Sequence, residues 1–172
     1  MEGVARGKVR LLPHQAEWEQ EFRLVAEQIR AAWAGNAWDI QHVGSTAVPG
    51  IRAKPILDVA VLLRSVRAMD IAAMERLGYE YCGPREGRET YHLFVLRSPE
   101  GLSLRHIHCY DVADTEFLCL VGFRDYLNAH PDTAARYEAL KTALAAKYPN
   151  DRVAYTAGKA AFIQSVYARL DD

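Results

Sequence analysis

The stretch that decides the fold runs from residue 42 to residue 61: His42-Val43-Gly44-Ser45-Thr46-Ala47-Val48-Pro49-Gly50-Ile51-Arg52-Ala53-Lys54-Pro55-Ile56-Leu57-Asp58-Val59-Ala60-Val61. It reads as the end of one strand, a loop with two glycines and two prolines, and a second, apolar strand. One carboxylate, Asp58, sits inside that second strand. Burying it costs several kcal/mol, on the order of 2–7, unless it is paired, hydrogen-bonded or bound to a metal. Some partner must therefore justify it.

The chain around this stretch has 172 residues, half of them hydrophobic and a quarter charged, with a formal net charge of -1. That length predicts a single domain over residues 1–172, large enough to bury a core. The near-neutral charge argues against a polynucleotide-binding surface and leaves room for a local basic pocket. Cys82, Cys109 and Cys119 are odd in number and lack C-x-x-C spacing. They read as reduced thiols in a cytoplasmic protein. Glu2, Arg6, Lys8 and Arg10 rule out an apolar signal region in the first dozen residues. The apolar run near Asp58 is one strand long, far below the ~20 residues of a membrane span.

Outward from the central stretch, residues 8–12 alternate weakly, as a short strand or an extended arm. Trp18, Phe22, Val25, Ile29 and Trp33 recur at helical spacing and make one buried face. Gly35-Asn36 ends that helix. Strands are predicted over residues 38–43 and 56–63, and a helix over residues 66–77, ended by Gly78. Tyr79–Cys82 reads as a short strand and residues 83–88 as a turn or mobile loop. Residues 90–96 and 103–110 read as a hairpin across Ser98-Pro99-Glu100-Gly101. The last third is helical: residues 115–129, a helix opening at Pro131, and a final stripe of Val153, Ala157, Ala160, Ile163, Tyr167 and Leu170. Strands first and helices last predict an α+β fold, a mixed sheet with helices packed on it.

Three constellations could carry chemistry. The Gly44-Ser45-Thr46 turn can cradle a phosphate with backbone N–H groups and two hydroxyls, or it can simply shape a turn. It is not a Walker P-loop. Asp58 shares a strand face with residues 56 and 60. A metal-binding pair at i, i+2 would need a second carboxylate, and position 60 is alanine. Asp58 is thus one ligand of a metal or a structural aspartate holding the glycine loop. His106 and His108 form an H-x-H pair whose rings point one way. With Asp58 they could ligate a metal, or stabilise phosphate as imidazolium, or sit solvated on a half-exposed strand. Lys54, Arg105, Arg124 and Lys159 are the candidate phosphate partners. Lys159 follows Tyr155 by one helical turn and shares a stripe with Phe162 and Val166.

The segments HVGSTAVPG-x-x-AKPILDV, RHIHCYD and FRDYLNAHPDTAARYEALKTALAAKYPNDRVAYTAGKAAFI closely resemble the GrpB family, from about Leu12 to Leu170. That family is assigned to the nucleotidyltransferase superfamily of polymerase-β-like folds. It occurs alone and fused to some bacterial dephospho-CoA kinases. The resemblance implies a nucleotidyltransferase-like mixed sheet flanked by helices. It matches Gly44 and Ser45 to the superfamily's phosphate-contacting Gly-Ser signature, and Asp58 to the first of its metal-binding carboxylates. Ala60 stands where the superfamily carries Asp or Glu, and His106 or His108 falls on the strand of a third carboxylate.

Three functions follow as expectations. The first is metal-assisted transfer of a nucleoside monophosphate from a triphosphate to a small acceptor. Asp58 would be catalytic, and Gly44, Ser45, Thr46, Lys54, Arg105, Arg124, Tyr155 and Lys159 would surround the phosphates. The cofactor would be Mg²⁺ or Mn²⁺, with a transition metal as the variant, held by Asp58, His106 and His108. The second is a non-catalytic nucleotide- or anion-binding module, or one that assists folding of a partner. The third is a metal-dependent enzyme of different chemistry built on the same three ligands.

Overall fold

A computed structural model describes residues 1–170. Its centre is a five-stranded sheet: β1 (Ala37–Val43), β2 (Leu57–Leu63), β3 (Tyr79–Arg85), β4 (Arg88–Arg97) and β5 (Ser103–Asp111), in the spatial order β1-β2-β5-β4-β3. The β2–β5 pair is parallel and the other neighbours are antiparallel, so the sheet is mixed. Five helices accompany it: α1 (Glu17–Ala32), α2 (Ile71–Arg76), α3 (Glu116–Ala129), α4 (Pro131–Lys147) and α5 (Arg152–Tyr167).

The two faces of the sheet have different chemistry because side chains alternate. Leu57, Val59, Val61 and Leu63 of β2 and Ile107 and Cys109 of β5 point one way. With Phe94 they bury Val25, Ala26 and Ile29 of α1. The predicted α1 stripe is thus the face that covers the core. Truncating its fully buried partner Phe94 to alanine is expected to cost about 3–5 kcal/mol, read from urea unfolding. On the opposite face, Asp58 aligns with His106 and Ala60 with His108. That face opens toward α3 and α5. A second apolar cluster, including Phe123, Leu127, Tyr137 and Val166, ties α3, α4 and α5 to Val48 and Ile51 of the glycine loop.

Two local expectations change, and a third reading, left open between two forms, is resolved. The helix expected over residues 66–77 is a 3-10 turn at Val66–Ala68 followed by α2. Asp70 takes an extended conformation and caps α2 by accepting from the Ala73 N–H, which interrupts the run. The turn expected over residues 83–88 is mostly strand. β3 continues through Pro84, and the reversal is confined to Glu86-Gly87, both at positive φ, 55° and 68°. β3 is an edge strand, where a missing N–H is tolerated. Residues 8–12 form an arm: Leu12 bridges Ala53, and the Val9 N–H donates to the Pro149 carbonyl.

No helix among the described residues is long and apolar enough to cross a membrane.

Candidate functional site

At the end of β1 the chain passes through Gly44 at φ 71° and ψ -172°. That region of backbone space is essentially glycine's alone. A Cβ at position 44 would lie 2.9 Å from Asp58 Oδ2, so the loop backbone rests directly on the carboxylate. Ser45–Ala47 then makes a 3-10 turn. The loop returns through Lys54 to β2, and α4 grips its far side at two points. Glu138 Oε1 accepts from the Arg52 N–H at 2.8 Å, and Lys141 Nζ donates to the Arg52 carbonyl.

The Asp58 carboxylate meets both histidines. His108 Nε2 lies 3.0 Å and His106 Nδ1 3.5 Å from Oδ1. Burial works to raise the Asp58 pKa, and the hydrogen bonds from His106 and His108 outweigh it, holding the carboxyl well below its usual range. Burial lowers the pKa of His106, against the pull of Asp58, so the ring favours its neutral form. One ligand atom from each of the three residues fits within a 4.8 Å spread. Behind His108, the Tyr91 hydroxyl sits 2.8 Å from Nδ1, and Tyr91 stacks on Tyr110 at 4.6 Å. Such a contact fixes the orientation of the His108 ring.

Facing these three groups are cations. Lys54 and Lys159 lie 5.4 and 4.8 Å from the centre of the Tyr155 ring. Burial, reinforced by Lys159 and Arg152, pushes Lys54 down to about 7, and burial also lowers Lys159. Arg152, at the start of α5, has buried Nε and Nη2 atoms without a hydrogen-bond partner among the described residues. The cavity that holds this constellation measures about 410 Å³. A smaller one of about 110 Å³ continues from it under Gly44, Ser45 and Thr46 to Tyr137 and Tyr155.

Thus Gly44, Ser45, Lys54, Asp58, His106, His108, Tyr155 and Lys159 converge. Two expected phosphate partners do not. Arg105 belongs to the opposite face of β5, where it pairs with Glu21 at 2.8 Å and reaches the Tyr79 hydroxyl. Its alternation with His106 dictates this. Arg124 lies behind the loop, donating to Gln41 Oε1 and to the His42 carbonyl, both at 2.8 Å, so its role is to brace β1. Thr46 is buried and its hydroxyl is 2.9 Å from His42 Nε2. It reaches only the smaller cavity.

Arg152, Tyr91 and Tyr137 line the site without having been singled out in the sequence reading, and Lys141 holds the loop from behind it. The spacing Arg152, Thr156, Lys159 is one α5 stripe and would have disclosed Arg152. Lys141 carries a testable cost. It is 1% exposed, and burial pushes it from 10.5 to about 7. Between those values the unfolded chain binds the proton and the folded chain does not, so stability rises with pH. Lys141→Met is expected to flatten that rise over about pH 7–9 in urea unfolding, by removing one such proton difference. An unchanged slope would contradict the assignment.

The fold is an α+β fold of the nucleotidyltransferase-like kind. The Cid1 poly(U) polymerase bound to MgATP superposes with a TM-score of 0.50 at 15% identity, over 75% of this chain and 42% of that one. A cytoplasmic RNA terminal U-transferase superposes at 0.51 with 13% identity, over 76% and 39%. These likenesses define the fold. The chain itself belongs to the GrpB family, whose model, described as GrpB protein, matches residues 8–169. It is similar to the glutamate-rich protein GrpB of Alkalihalophilus pseudofirmus, 36% identical over 172 residues, covering 96% of this chain and 98% of that protein. A UPF0157 protein of Pseudomonas aeruginosa is 39% identical over 167 residues, covering 94% and 67%. The crystal structure of GrpB from Enterococcus faecalis superposes with a TM-score of 0.85 at 30% identity, over 94% and 96%. A dephospho-CoA kinase of Mycolicibacterium paratuberculosis is 28% identical, and there the matched region is 47% of the longer protein.

Proposed function

We propose that the cavity binds a nucleoside triphosphate, and that the chain transfers its nucleoside monophosphate to a small acceptor with the help of one divalent ion held by Asp58, His106 and His108. The observation that carries this is the facing of two charge sets in one cavity: a carboxylate with two imidazoles on one side, and Lys54, Lys159 and Arg152 on the other. The donor set fits a single ion. Two imidazoles and one carboxylate suit Mn²⁺ or another transition metal better than Mg²⁺, which prefers oxygen. Ala60 is fully buried among Val43, Tyr91, Tyr110 and Phe117, so position 60 supplies no oxygen for a second ion.

When bound, the ion would supply positive charge to the α-phosphate oxygens, where negative charge builds in the transition state. The remaining work falls to the chain. Lys54, Lys159 and Arg152 bind and orient the phosphates and stabilise the departing pyrophosphate. Tyr155, under both lysines, holds their ammonium groups in place. Gly44 lets the loop approach without a side chain. The reading carries with it a cytoplasmic setting, where nucleoside triphosphates and reduced thiols coexist.

Pyrophosphate release from ATP, GTP, CTP and UTP, with Mn²⁺ or Mg²⁺ and a panel of hydroxyl and amine acceptors, tests the proposal. Metal-dependent release with one triphosphate supports it. Nucleotide binding without release under any condition favours a second reading, a binding module, to which Ala60 in place of a carboxylate points.

A further inference from the structure

His42 takes no part in the chemistry above, yet it is 5% exposed and sits at the foot of the glycine loop. Its ring stacks on Phe22 at 5.2 Å. Its Nδ1 lies 3.3 Å from Glu19 Oε2 and its Nε2 2.9 Å from Thr46 Oγ1. An ionised carboxylate only accepts, so Nδ1 carries the proton that faces Glu19. In a neutral ring Nε2 is then an acceptor, and the Thr46 hydroxyl donates to it. Thr46 lines the smaller cavity with Ser45 and Lys54, and while its proton is committed to Nε2 the hydroxyl has only lone pairs left to offer a ligand there. A lone pair repels a phosphate oxygen.

Adding a proton to His42 reverses the polarity of the chain. Both ring nitrogens become donors, Nε2 donates to Thr46 Oγ1, and the threonine proton is released to rotate toward the loop cavity. We propose that Glu19, His42 and Thr46 form a relay in which protonation of His42 converts Thr46 from an acceptor into a hydroxyl donor for a bound phosphate group. Loop affinity for phosphate then rises as pH falls. The inference rests on the phosphate-binding reading of the loop. His42 and Glu19 act through Thr46 and are positioning residues.

The charged groups around His42 suit such a device. Burial lowers its pKa, and Arg124, which donates to its carbonyl, adds to this, while Glu19 and Asp58 oppose. The ring is thus neutral at the start. An anion at Thr46 favours the imidazolium, so anion binding and proton uptake are reciprocally linked.

Sulfate is the probe, because it does not titrate over the relevant range. Its binding is followed by NMR at the Gly44 and Ser45 amides between about pH 7.5 and 5.5, with the ¹⁵N shifts of the His42 ring recorded alongside. Thr46→Val and Thr46→Ser are compared with wild type. Groups such as His106 and Lys54 contribute equally to all three. Wild type and Thr46→Ser are expected to gain roughly tenfold more sulfate affinity on acidification than Thr46→Val, the lower end of the worth of one hydrogen bond to a charged group. His42 is expected as the Nδ1–H tautomer at the upper pH, with a midpoint that sulfate raises in wild type and leaves nearly in place in Thr46→Val. Identical pH profiles for wild type and Thr46→Val, or an Nε2–H tautomer, overturn the relay and leave the phosphate reading standing. Gly44 and Ser45 amides that respond to neither sulfate nor ATP at any pH overturn both.

Discussion

Asp58→Asn is expected to lower metal affinity and metal-dependent pyrophosphate release by roughly a hundredfold or more each, while the protein stays folded. The amide is nearly the same size as the carboxylate, and its oxygen can still accept from His108, now 3.0 Å away. What disappears is the one negative charge among the three candidate ligands. Two neutral imidazoles and an amide oxygen hold a divalent cation poorly, and the ion's charge at the α-phosphate goes with it. Outer contacts to metal ligands alone are worth about 10- to 100-fold, so a ligand is expected to exceed that. Stability without metal should fall modestly, because the low pKa of Asp58 means that the folded state favours the charged carboxylate over its neutral form. Isothermal titration with Mn²⁺ and circular dichroism on the same sample separate the two effects. Unchanged Mn²⁺ affinity in a folded variant would remove Asp58 from the metal site.

The second large effect belongs to Gly44→Ala. Two costs coincide at this position. The backbone conformation, φ 71° with ψ -172°, is disfavoured for any L-residue by about 1–3 kcal/mol. The new methyl would also sit 2.9 Å from Asp58 Oδ2 and 3.2 Å from its Cβ. Asp58 is anchored by His106 and His108, so it has little freedom to yield. Either the loop lifts or the carboxylate turns away, and both disrupt the geometry that brings phosphate and metal together. Nucleotide binding is expected to fall by about a hundredfold, since a displacement of about 1 Å at such a site costs that much, with destabilisation of about 2 kcal/mol. Calorimetric titration with nucleotide and urea unfolding report the two quantities. A folded Gly44→Ala protein that binds nucleotide as tightly as wild type would show that the loop does not touch the ligand.

Why some of this was legible in the sequence and some not has a physical basis. The α1 stripe repeats at helical spacing, and β2 is an apolar run, so local periodicity carried both. The meeting of Asp58 with His106 and His108 depends on the parallel register of β2 and β5, a pairing between residues about fifty positions apart that no local pattern encodes. Face alternation placed both histidines together and, applied one residue further, would have turned Arg105 away toward Glu21. Arg124 is different. Its direction depends on how α3 lies against β1, a question of tertiary packing. Pro84 misled because breakers are tolerated on an edge strand, and a strand's place in the sheet is a global property. Lys141 reads as surface charge, and only the closing of α4 over the loop buries it.

Thermal stability with Mn²⁺ and each of the four nucleoside triphosphates, alone and combined, in wild type and Asp58→Asn, tests the central claim most directly. A ligand confined to the folded state at a hundred times its dissociation constant adds about 2.7 kcal/mol. For a chain of this size that is a rise of roughly 5–10 °C. Such a rise is expected for wild type with metal and nucleotide together, and its loss in Asp58→Asn. No rise with any metal–nucleotide pair, or an equal rise in both proteins, would contradict that claim.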